Sequence, residues 1–129
     1  MPDLSFFQYD LVYNMFSFTI AAMIASFAFF ILARDRVAPQ YRISLVVSAL
    51  VVGIAGYHYF RITHSWEQAY ELVNGSFVAT GKPFNEAYRY VDWMLTVPLL
   101  MVELVLVMGL SSKLTKSLLA RLTTAAFLM

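Results

Sequence analysis

The sequence predicts an all-α transmembrane protein: three crossing helices, a fourth apolar segment, and a short extracellular β-hairpin between the second and third helices. Three observations carry this. First, 60% of the 129 residues are hydrophobic and 16% aromatic, and the mean hydropathy is +0.68, well beyond what a soluble domain of this size shows. Second, the few charges cluster between long uncharged stretches, each about the length that crosses a bilayer's hydrocarbon core. Third, Asn74-Gly75 stands between short apolar runs, the strongest two-residue hairpin signal. The net charge of +1 leaves no footprint for nucleic acid, and the expected partner is the lipid bilayer. Cysteine is absent, which removes disulfides and thiolate metal sites. No metal site is expected.

Met1–Asp10 carries Asp3 and Asp10 and no Lys or Arg. A secretory signal would begin with positive charge and end at a small-residue cleavage site, so the first apolar segment reads as a retained span, residues 11–33. Arg34, Asp35, Arg36, Pro39 and Arg42 then mark a loop, since proline cannot continue a helix and forces its predecessor extended. The second span, residues 43–64, holds Gly53 and Gly56, small enough to let a neighbouring helix approach closely. His64–Asn85 is a polar break containing the hairpin. The third span, residues 86–109, contains Pro98, tolerated in a membrane where neighbours satisfy the freed carbonyl. A fourth segment, residues 114–129, begins around Lys113 and Lys116; the 13 residues after Lys116 are too few to cross, so it reads as incomplete.

Lys and Arg set the orientation. Arg34, Arg36 and Arg42 lie after the first span, and Lys113 and Lys116 after the third. These loops are expected in the cytoplasm, and the acidic N-terminus on the extracellular or periplasmic side of the cell membrane.

The third span carries an unusual stripe. At about 100° per residue, Thr96 lies roughly 40° around the helix from Asp92, Glu103 roughly 20° and Arg89 roughly 60°. A rise of about 1.5 Å per residue separates Asp92 from Glu103 by roughly 16 Å. Acids inside a membrane are costly and default to functional hypotheses. Asp92 reads either as a structural partner of Arg89, one turn away, or as a proton acceptor and counter-ion to a buried cation. Glu103 has Leu, Val and Met beside it and reads as a neutral acid holding a proton near the cytoplasmic side, or as a group facing a polar partner on another helix. Thr96 is placed to bond back to a carbonyl or to the Asp92 carboxylate. His58 and Asp92 each stand about six residues from the outer ends of their spans, so both are roughly 9 Å deep and able to pair. His64 sits at the water interface. Trp93, with Tyr88 and Tyr90, reads as core packing or as a flat wall for a planar ligand.

RYVDWMLTVPLLMVE closely resembles the third helix of proton-pumping microbial rhodopsins. GYHYFRI, SWEQAYELVNG and NEAYRYVDW are similar to the xanthorhodopsin-like branch of the proteorhodopsins. The resemblance covers roughly Val12 to Gly109 and implies helices A–C and the start of D of a seven-helix bundle, with residues 1–129 one part of that domain. It implies a light-driven outward proton pump, a transporter rather than an enzyme, with retinal as cofactor. Asp92 would be the proton acceptor and counter-ion, Glu103 the cytoplasmic donor and Thr96 the threonine of the same motif. Arg89 would lie on the release path, and His58 would pair with Asp92. Trp93, Tyr90, Met94 and Leu100 would contact retinal, with leucine at position 100 accompanying green absorption.

The family attaches retinal through a lysine on its seventh helix. Lys82, Lys113 and Lys116 are in loops or at a helix edge, so none is placed for that bond. Helices D–G are therefore expected in another chain or are missing. A homo-oligomer, pentamer or trimer, is expected. A carotenoid antenna, known in this branch, depends on later helices and stays open. The rivals are a photosensory or channel rhodopsin, which needs no carboxylic donor at Glu103, and a non-photoactive membrane transport subunit, which has no reason to keep this stripe.

Overall fold

The computed structural model describes residues 2–128. Leu4–Ser5 forms a two-residue strand, β1, and runs into helix α1, Phe6–Ala33. Ser5 caps that helix. Its hydroxyl accepts from the Gln8 backbone N–H at 3.2 Å, and the Gln8 side chain accepts from the Ser5 N–H at 2.9 Å, the reciprocal pattern that satisfies two orphan donors at a helix start. Short turns at Arg34–Arg36 and Pro39–Tyr41 lead to α2, Arg42–Ala69. Strands β2, Tyr70–Val73, and β3, Ser76–Ala79, follow, then α3, Ala87–Val107, and α4, Ser112–Leu128. Among the described residues, three helical stretches are long and apolar enough to cross a membrane: Phe6–Arg36, Pro39–Ala69 and Ala87–Val107.

α1 is apolar all round and none of its described residues is buried within the chain, as befits a helix solvated by lipid. It packs on α2 through the two glycines. A Cβ added at Gly53 would stand 3.3 Å from the Phe27 ring, and one at Gly56 would stand 3.2 Å from Met23 Cβ. α2 and α3 meet along small and polar residues: Ser44, Ser48, Ala49, Ala55 and His58 are buried on one, Asp92, Thr96 and Val105 on the other. Pro98 lies within α3, which runs through it unbroken.

Asn74 and Gly75 both adopt positive φ, 49° and 84°, the left-handed pair that matches strand twist in a tight hairpin. The hairpin is anchored to α2 where the Thr80 N–H donates to the Ala69 carbonyl and the Thr80 hydroxyl donates to the Gln68 carbonyl. The Asn85 N–H donates to the Ser65 hydroxyl and the Asn85 side chain accepts from the Ala87 N–H, which fixes where α3 begins.

Two features differ from the sequence expectation. The hairpin is part of a three-stranded antiparallel sheet in the order β1-β3-β2, with Leu4 opposite Phe77 and Ser5 opposite Ser76. Tyr9 stacks on Phe77 at 3.7 Å and lies 5.7 Å from Trp66, so the start of α1 is docked against the hairpin. The helices also outrun the charge-free spans. α1 begins five residues before position 11 and α2 continues past residue 64 to Ala69, because backbone bonding continues into residues that the bilayer does not require to be apolar. The third helix is Ala87–Val107 against an expected 86–109. The fourth is Ser112–Leu128 against 114–129, whose last residue lies outside the described ones.

Candidate functional site

The polar residues of α2 and α3 meet at two depths. At the first, His58 Nδ1 lies 3.1 Å from Asp92 Oδ1 and 3.0 Å from the Ile54 carbonyl oxygen. A carbonyl can only accept, so Nδ1 carries the proton and shares it between Ile54 and Asp92. Both side chains are shielded from solvent, with that of His58 9% and that of Asp92 12% exposed.

At the second depth, Ser48 Oγ donates to Glu103 Oε1 at 2.5 Å and also approaches the Ser44 carbonyl at 3.1 Å. Moving from His58 to Ser48 retreats along α2 while moving from Asp92 to Glu103 advances along α3, so the two helices are antiparallel. A rise of about 1.5 Å per residue puts the two contacts roughly 16 Å apart along the membrane normal. Glu103 is only partly buried.

For three of these residues the sequence left two surroundings open, and the structure selects between them. Glu103 does not have a purely apolar shell, because a hydroxyl from α2 reaches it. Thr96 does not bond to the Asp92 carboxylate. Its hydroxyl donates to the Asp92 backbone carbonyl at 2.9 Å, the usual outlet for a threonine in a helix. Arg89 is exposed and, among the described residues, makes no ion pair with Asp92, whose carboxyl meets His58 instead.

Ser48 escaped the sequence reading, although a signal for it existed. Ser48 lies ten residues before His58 and Glu103 eleven residues after Asp92, so the depth match that aligns His58 with Asp92 also aligns Ser48 with Glu103.

Trp93, Tyr90, Met94 and Leu100 are all largely exposed. At about 100° per residue, Trp93 and Leu100 stand roughly 80–100° around α3 from Asp92, and Tyr90 and Met94 roughly 160–200°. Trp93 meets Tyr90 edge-on at 5.6 Å. They form an apolar, aromatic face beside the buried carboxyl and turned away from α2. At the hairpin end of the helices, Arg61 donates to the Tyr88 hydroxyl at 2.9 Å and lies over its ring. His64 is exposed, beside Glu67 at 3.6 Å. Lys82 lies between β3 and α3, and Lys113 and Lys116 lie in the first two turns of α4.

The family model described as bacteriorhodopsin-like protein matches residues 10–129. A green-light absorbing proteorhodopsin of Gamma-proteobacterium EBAC31A08 is 37% identical over 109 residues, 84% of this chain and 39% of that protein. A blue-light absorbing proteorhodopsin of Gamma-proteobacterium Hot 75m4 is 33% identical over 120 residues, 93% of this chain and 43% of that protein. Among solved structures, that of xanthorhodopsin, a light-driven ion pump with dual chromophore, superposes with a TM-score of 0.95 at 66% identity, covering 99% of this chain and 51% of that one. A thermophilic rhodopsin gives a TM-score of 0.96 at 57% identity, covering 98% and 51%. The chain thus spans about half the length of these solved rhodopsins and less than half that of the curated proteorhodopsins.

Proposed function

From the premise that the chain belongs to the bacteriorhodopsin-like family, we propose that it supplies the proton-accepting and proton-donating helices of a light-driven pump that moves protons outward across the cell membrane. The observation that carries this is the pair of carboxyls on α3, each met by a different partner from α2 at a different depth.

The family implies retinal, and the residues present fit it on one side. The open face of α3 offers Trp93, Tyr90, Met94 and Leu100 to a flat apolar chain, next to a carboxyl suited to a buried cation. No lysine of this chain is near Asp92: Lys113 and Lys116 lie beyond the far end of α3, roughly 20 Å away by helix rise. The attaching amine is therefore contributed from outside residues 1–129. When bound, retinal supplies light absorption and a protonated Schiff base.

Asp92 takes up a proton on its carboxylate. The His58 Nδ1–H fixes the orientation of that carboxylate and stabilises it while charged. Thr96 turns its hydroxyl to the backbone, which leaves the carboxylate oxygens to His58 and to the chromophore side. Arg89, one turn outward, places a positive charge that draws a proton toward the outer surface. Glu103 holds a proton at the inner depth, positioned by the Ser48 hydroxyl, and returns it inward of Asp92. With the loops at residues 34–42 and 111–116 in the cytoplasm, as their Lys and Arg favour, the two carboxyls are arranged from inside to outside.

Illuminating cells that carry the full-length, retinal-loaded protein tests this. Acidification of the medium that an uncoupler abolishes is expected. Alkalinisation, or no change, would contradict the outward direction or the pump itself.

A further inference from the structure

We infer that the groove between α2 and α3 at the hairpin end binds the phosphate headgroup of an anionic phospholipid, with an acyl chain of that lipid in the apolar cleft beside His58. The inference goes beyond the function proposed above and takes from it only that the chromophore lies on the Trp93 face of α3.

Arg61 marks the level of the headgroups. It is the first Lys, Arg, Asp or Glu after Arg42. The two arginines are roughly 28 Å apart along α2, against about 30 Å for the hydrocarbon core of a bilayer. The Arg61 guanidinium is held in place. It donates to the Tyr88 hydroxyl at 2.9 Å and lies 5.3 Å from the centre of that ring. Arginine carries several N–H donors in a fork that fits phosphate, so donors are left over for a ligand.

Arg61 lines a groove of about 560 Å³ with His64, Gln68, Lys82, Glu86 and Tyr88. Among the described residues neither Arg61 nor Lys82 is paired with a carboxylate. Glu86 is the one acid in the wall, against two permanent cations, so charge favours an anion there.

A lipid fits better than free phosphate because an apolar cleft continues the same face. It holds about 430 Å³ between Phe27, Leu50, Ile54, Tyr57, His58 and Leu95. Tyr57 and His58 lie one turn before Arg61 on α2. From Arg61 to Leu50 the rise is roughly 16 Å, about half of the 30 Å core and so the depth of one leaflet. Phe27, Leu50, Tyr57 and Leu95 are exposed. Around α3, Tyr88 and Leu95 stand roughly 40° and 60° from Asp92, in the opposite sense to Trp93 and Leu100. Helices that close over a chromophore at Trp93 therefore leave this face to the membrane.

The test uses the full-length, retinal-loaded protein in mild detergent. Native mass spectrometry counts the lipid retained after incubation with phosphatidylglycerol or with zwitterionic phosphatidylcholine, each with and without inorganic phosphate. The parent should retain phosphatidylglycerol in preference. Arg61→Gln and Lys82→Gln replace exposed side chains and should each weaken that retention about fivefold, the effect of one Lys or Arg near an anionic lipid. Leu50→Trp fills the cleft and should weaken it too, whereas Arg36→Gln, at the other end of the helices, should not. Equal retention of the two lipids, or retention unchanged in both Arg61→Gln and Lys82→Gln, would overturn the proposal. Displacement by inorganic phosphate, with Leu50→Trp behaving as the parent, would mean a site for a free anion and would overturn it as well. None of these readouts uses light, so their failure would leave the proposed pump standing.

Discussion

Ser48 on α2 and Glu103 on α3 meet through a hydrogen bond of 2.5 Å between Oγ and Oε1. The contact joins residues 55 positions apart and gives the inner acid a polar partner inside the helix pair. Replacing Ser48 with alanine removes that donor and nothing else of size. Recovery of the photocycle should change by about twofold to tenfold, the 0.5–1.5 kcal/mol of a typical hydrogen bond, and the carboxyl stretch of Glu103 should shift in the infrared. An unmoved carboxyl band would show that the contact does not act in the working protein.

Glu103→Gln removes the carboxyl proposed as the proton donor while keeping the side chain's shape. Recovery should slow strongly and become dependent on the pH of the cytoplasmic side, because protons must then come from bulk water. The colour should stay nearly the same, since Glu103 stands roughly 16 Å from Asp92 by helix rise. Time-resolved absorption across neutral and alkaline pH decides it, and a recovery rate equal to the parent's would remove Glu103 from the donor role.

His58 shares its Nδ1 proton between the Ile54 carbonyl and Asp92, so the imidazole holds and orients the carboxylate. His58→Asn should move the pH at which the pigment changes colour. A spectral titration that overlays the parent's would mean that His58 only packs.

Gly56 carries α1 against α2, with Met23 Cβ 3.2 Å from where its own Cβ would be. Gly56→Val places two methyls in that contact and should destabilise the protein by about 1–3 kcal/mol through overpacking. Thermal loss of the visible band measures this, and a midpoint equal to the parent's would show that the α1–α2 contact has slack.

The sequence reading reached the helices because lipid demands long apolar stretches, and it reached the hairpin because Asn74-Gly75 takes the two positive φ angles such a turn requires. Equal depth in antiparallel spans set His58 opposite Asp92. What stayed hidden has physical reasons. A two-residue strand such as Leu4–Ser5 is too short to show alternation, and it forms because the β3 edge and the Tyr9–Phe77 stack receive it. Ser48 looked like one small residue among many until the partner helix was in place. The direction of the Thr96 hydroxyl depends on a rotamer that spacing does not set. Arg89 shares the stripe of Asp92 by angle, but a long side chain in the first turn of α3 reaches solvent, and the carboxyl meets His58.

The absorption spectrum and light-driven proton movement of Asp92→Asn in the full-length, retinal-loaded protein test the central claim most directly. Loss of the carboxylate beside the chromophore should shift the band to the red and stop acidification of the medium under illumination. An unshifted band with normal acidification would contradict Asp92 as the proton acceptor.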